Sequence, residues 1–132
     1  MDQYLKNWIF KATEDLRAAE HELRLADEEV VTSSVCFHCQ QSIEKFLKSF
    51  LIYHNKEVKR THNLTLLQTE CSEIEESFLS FHFDNYNNYS VDVRYPDEFY
   101  IPTIEEAKEI YSTANQFKDF VLGKIGTTNG HE

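Results

Sequence analysis

Apolar residues recur three or four positions apart through four stretches of this chain, and no stretch alternates with period two over a useful length. The first stretch runs Leu5, Trp8, Ile9, Ala12, Leu16, Ala19, Leu23, Ala26, one face of a helix of about six turns. The second holds Cys36, Cys39, Ile43, Phe46, Leu47, Phe50 and Leu51, with Glu28 and Glu29 suited to its first turn, where the helix dipole favours negative charge. The third carries Leu64, Leu67, Cys71, Ile74, Phe78 and Phe81. The fourth opens on Pro102 and the capping-box pattern Thr103-Ile104-Glu105-Glu106, continues through Ile110, Ala114, Phe117 and Val121, and fades at Gly123 and Gly126. Glycine (3) and proline (2) are scarce, which speaks against a turn-rich all-β fold. The spacing predicts an all-α protein: an antiparallel, up-and-down bundle of four to five helices over residues 1–124, with a disordered tail over 125–132.

A chain of 132 residues is long enough for one such core and too short for two comfortable ones. No apolar run is long enough to span a membrane, and the start "MDQYLKNWIFKATEDL" is too interrupted by charge to be a signal peptide. A cytoplasmic location is expected. The net charge of -10 argues against broad sequence-independent nucleic-acid binding, which rests on neutralising phosphates. Locally the balance reverses: Lys45, Lys48, Lys56, Lys59 and Arg60 face only Glu44 and Glu57 across residues 44–60. That run reads either as a solvated helix end with its loop or as a basic patch.

Cys36, His38 and Cys39 fall within four residues and invite a metal or redox reading. The spacing favours another. Cys36 and Cys39 share a face with Ile43, Phe46 and Phe50, and Cys71 lies on the third apolar stripe, where free cysteine packs as a small hydrophobe. A zinc site normally draws on paired ligand clusters, and a second cluster is missing. Neither a metal nor a cofactor is expected. His38 falls off that stripe and forms a polar row with Gln41 and Lys45, which is either a solvent face or one side of a binding site.

Between the third and fourth stretches lies "FDNYNNYSVDVRYPDEFYIP", long for a helix connection. Its tyrosines either pin the loop to the bundle, with Arg94 satisfying a carboxylate, or stack on a base while Arg94 grips an anion bidentately.

"FHCQQSIEKFLKSFL", "RTHNL", "VRYPDEFYIP" and "TIEEAKEIYSTANQF", in that order, resemble the HEPN domain (higher eukaryotes and prokaryotes nucleotide-binding) over roughly residues 4 to 122. The resemblance implies a small helical bundle, commonly a homodimer, and frequent pairing with a minimal nucleotidyltransferase as a toxin–antitoxin couple. It also implies metal-independent ribonuclease chemistry where an Arg-x4-6-His motif is present. Here Arg94 is followed at the matching positions by Phe99, Tyr100 and Ile101, with no histidine. The expected function is therefore a dimer that binds a nucleotide or other anionic ligand through His38, Lys45, Lys48, His62, Arg94 and Tyr95. A ribonuclease lacking the usual motif and a non-catalytic interaction module are the alternatives. Phe10 and Phe37, off the main stripes of their helices, are the expected dimer contact.

Overall fold

The computed structural model describes residues 2–90 and 100–126. Four α-helices carry the fold: α1 (Gln3–Leu23), α2 (Thr32–Tyr53), α3 (Leu64–Ser72) and α4 (Ile104–Ile125). Short 3-10 turns at Asp27–Glu29, Glu76–Ser80 and Asp84–Ser90 connect them, and there is no strand among the described residues. The all-helical bundle expected from the apolar spacing is what forms.

α2 is its axle. Thirteen of its 22 residues are buried, so it is enclosed rather than amphipathic in the usual one-sided way. α1 packs antiparallel along it: the Ser42 hydroxyl donates to the Ala12 carbonyl at 2.8 Å, and Lys48 lies over the Trp8 ring. α2 and α4 begin side by side, where the Thr32 hydroxyl donates to the Pro102 carbonyl (2.6 Å). The connections between α2, α3 and α4 are made by the loop at 54–63 and the 3-10 turns, while α1 and α4 supply most of the packing around the axle.

The core is a single cluster in which Cys36, Cys39 and Cys71 are fully buried beside Ile43, Phe46 and Leu47. Phe50, Phe78, Phe81, Phe83, Phe117 and Phe120 form an aromatic group joining α2, α4 and the turns, with Phe50 and Phe78 centroids 4.4 Å apart. Mixed edge and stacked contacts of this kind add to what area burial alone contributes.

Element ends differ from the sequence expectation in three places. α1 stops at Leu23, and Leu25 is exposed. Glu28 and Glu29 sit in a 3-10 turn rather than in the first turn of α2, whose entry is held by the Glu22 carboxylate accepting from the Val31 N–H. α3 does not run on to Phe81. Gln68 donates to the carbonyls of both Phe78 and Phe81 (2.8 Å each), and this side chain folds the following segment back so that its phenylalanines reach α4. At the other end, the capping box of α4 forms as read: the Glu106 N–H donates to Thr103 Oγ1 and the Thr103 N–H to Glu106 Oε1. α4 passes through Gly123 and ends on buried Ile125. Gly126 closes it at φ 81°, a left-handed position that suits glycine. Of the expected tail, residues 127–132 lie outside the described residues.

Candidate functional site

Two carboxylates organise the polar side of α2. Asp15, from α1, accepts from His38 Nδ1 at 2.9 Å with one oxygen and from Lys45 Nζ at 2.5 Å with the other. Glu44, on α2 itself, repeats the pattern with Lys48 Nζ and His62 Nδ1, each at 2.8 Å. Each carboxylate can only accept, so both imidazoles donate from Nδ1 and keep Nε2 uncommitted by these contacts. Glu44 and Lys45 are successive on the helix, so their side chains leave it about 100° apart. The four sequence-derived candidates on described residues are thus sorted into two pairs: His38 with Lys45, and Lys48 with His62.

The environments differ. Lys48 and Glu44 are almost completely buried, at 6% and 4% side-chain exposure, whereas His62 is 67% exposed. His62 is latched to α2 twice, because Gln40 Nε2 also donates to its backbone carbonyl, and Gln41 in turn donates to Gln40. That latch pulls the loop at 58–62 against the first turns of α1. Between them lies a groove of about 430 Å³ lined by Tyr4, Trp8, Lys48, Val58, Lys59, Arg60, Thr61 and His62. Lys48 Nζ stands 5.6 Å from the Trp8 ring centroid, and Tyr4 meets that ring edge-on.

Arg94 and Tyr95 fall outside the described residues. The flanks of that segment are held at the start of α4, where Tyr89 (3.0 Å) and Tyr100 both donate to the Glu106 carboxylate. The Tyr100 hydrogen bond, with the Thr103 backbone behind it, holds the Glu106 carboxyl below its ordinary value; the same bond pushes the Tyr100 phenol up. The cysteines are lining. Burial, with the Glu106 charge adding to it, pushes the Cys36 thiol up to about 12, and burial raises Cys39 and Cys71 as well. Such thiols stay protonated, which removes the nucleophilic form.

Sequence reasoning names Glu44 and Arg60 only as charges of the basic run and Trp8 only as a residue of the first apolar stripe, and does not name Asp15 or Tyr4 as site residues. A signal for Glu44 is present: Gln40, Glu44 and Lys48 form a strict i, i+4, i+8 polar row along α2, and all three are buried. Asp15 carried a weaker one, flanking the stripe of Ala12, Leu16 and Ala19. Trp8 lies on the first apolar stripe, yet it stands half-buried at the groove.

Comparison with known proteins agrees with this architecture. No curated protein matches the chain. The crystal structure of an archaeal HEPN homologue superposes with a TM-score of 0.64 at 25% sequence identity, covering 95% of this chain and 99% of that one. A family model for the HEPN domain matches residues 5–125, which takes in all four helices, the latched loop and both carboxylate centres. The chain belongs to the HEPN domain family.

Proposed function

We propose that this HEPN-domain chain is a homodimer that binds a nucleotide or other anionic ligand, working in the cytoplasm beside a minimal nucleotidyltransferase in a toxin–antitoxin-like pair. The observation that carries the reading is the Glu44 centre, which fixes Lys48 and His62 at the wall of a groove in a chain of net charge -10. A cation held on an internal counter-charge is preorganised, so little side-chain freedom is lost when an anion arrives. Dimerisation is supported by Phe10, 63% exposed on α1; Phe37 is partly covered and meets the His38 ring edge-on. No described helix is long and apolar enough to cross a membrane.

A thermal-shift screen against nucleotides tests the binding claim, with Arg94→Ala and His62→Ala alongside. A ligand at a hundred times its Kd adds about 2.7 kcal/mol, a shift of several degrees for a domain of this size. Stabilisation that falls away in the variants is the expected result. A flat screen sinks the binding claim and leaves the interaction module, for which co-purification with a neighbouring gene's product is the discriminating observation. A monomer by light scattering at tens of micromolar contradicts the dimer.

One observation favours a second reading, metal-independent RNA cleavage. Both His38 and His62 have the carboxylate-bound imidazole of a general base, and His62 is open to solvent. Tyr100 does not take the place of the missing histidine, because its hydrogen bond to Glu106 raises a phenol that is already a poor base at neutral pH. Loss of cleavage in His62→Ala, measured on structured RNA without metal, is the outcome this reading requires.

A further inference from the structure

We infer that the groove between the first two turns of α1 and the loop at 58–62 is the anion site itself, and that its ligand is a phosphomonoester carried on a flat ring. Arg60 is the principal oxyanion ligand and Trp8 the surface against which the ring packs. This rests on the reading that the chain binds an anionic ligand, and adds where it binds and what its two ends look like.

The lining favours an anion. Lys48, Lys59, Arg60 and His62 line the groove, and none of the described residues that line it is a carboxylate. A second groove of similar volume, about 440 Å³, lies on the other side of Lys59 and is lined by Glu57, Glu70 and Glu73 as well as Lys56. Two cavities of one size thus differ in the residues that decide for or against an anion. Within the first, Lys48 is held by Glu44 and Lys59 by Glu70 at 2.6 Å, so both cations are fixed from behind. Arg60 is exposed and has no ion-pair partner among the described residues. Its planar fork matches two oxygens of a phosphate at once.

The neighbouring donors select a terminal phosphate. Thr61 Oγ1 accepts from the Asn63 N–H at 3.1 Å, which leaves its hydroxyl proton free to donate outward. His62 Nδ1 is committed to Glu44, and Nε2 remains for a ligand. Arg60, Thr61 and His62 are consecutive, so three kinds of donor come from one short, latched segment. A phosphomonoester offers three terminal oxygens to such a set, whereas a phosphodiester offers two.

The ring end follows from α1. Trp8 is half-buried and fixed by the Lys48 ammonium at 5.6 Å and by the Tyr4 ring, 6.4 Å away at 81°. A rigid indole bordering a polar groove is a stacking surface for a planar group, and every nucleobase has such a face. A volume of about 430 Å³ lies within the range of small-ligand sites and suits one ring with one phosphate.

Trp8 is the chain's single tryptophan, so its emission reads the site directly. Intact protein is titrated with adenosine monophosphate, phenyl phosphate, adenosine and inorganic phosphate, following Trp8 emission, with nucleotide thermal shift in parallel. The two phosphorylated rings are expected to change the emission saturably. Inorganic phosphate competes with them while leaving emission unaltered, and adenosine binds at least about tenfold more weakly than its monophosphate. Arg60→Ala, at an exposed position whose loss leaves the circular dichroism unchanged, weakens the response by about tenfold or more, and Arg60→Lys restores part of it. A response to adenosine monophosphate but not phenyl phosphate keeps the site and identifies the ring as a nucleobase. Inorganic phosphate binding as tightly as the phosphorylated rings overturns the ring assignment. Thermal stabilisation by a nucleotide with unaltered emission, or a response indifferent to Arg60→Ala, overturns this groove while the broader anion-binding reading stands. Neither stabilisation nor emission change overturns both.

Discussion

Asp15 and Glu44 hold the same pair of partners, one histidine through Nδ1 and one lysine through Nζ, but they sit at different depths. The Asp15 centre joins two helices, and both of its partners retain some access to water. The Glu44 centre joins a helix to a loop: its lysine is sealed and its histidine is open. In the first, the charges stitch α1 to α2. In the second, one sealed ion pair fixes the position of an exposed loop. The same chemistry becomes a seam or a scaffold according to which partner is covered.

The contrast can be broken by removing each carboxylate in turn. Glu44→Ala leaves the Lys48 ammonium buried without a counter-charge, and is expected to cost about 3–5 kcal/mol in urea unfolding. Asp15→Ala leaves Lys45 and His38 able to turn toward solvent on their own stems, so about 1–2 kcal/mol is expected. Equal costs, or the reverse order, would show that depth is not what separates the two centres.

The smallest effect concerns a third carboxylate, Glu106, which gathers Tyr89, Tyr100 and its own capping residue at the protein surface. Its folded value is depressed, chiefly by the Tyr100 phenol. Its contribution to stability is therefore present above the ordinary carboxylate range and is lost as pH falls through the folded value. Exposure to solvent keeps that contribution small. Unfolding measured from pH 7 downward is expected to show slightly less acid sensitivity in Glu106→Gln than in the parent; an identical pH profile would remove Glu106 from the comparison.

The helices were legible in the sequence because burial on one side of a helix leaves a periodic trace. α2 was legible for its apolar face, but its enclosure was not, since a polar residue inside a helix looks the same whether it meets water or a carboxylate. His38 and Lys45 form a row along one helix; the partner that joins them, Asp15, is on another helix, and no local pattern connects residues 23 and 30 positions apart. Lys48 and His62 are both legible as site candidates, whereas the carboxylate they share is not. The end of α3 was misplaced because Gln68 terminates it with side-chain hydrogen bonds to carbonyls ten and thirteen residues on, which apolar spacing cannot report. Arg60 stands in the sequence as one charge in a basic run. That it has no ion-pair partner among the described residues is a property of three-dimensional neighbours.

Enclosure of α2 also sets a clock. Amide protons in the continuously buried run Phe46–Leu51 of α2 exchange with solvent only when most of the fold opens, whereas those in the exposed first turns of α1 exchange through local fraying. The floor of the groove beside Trp8 is therefore the part of the fold that opens last, and a molecule held there would be registered first as slowed exchange at the start of α1.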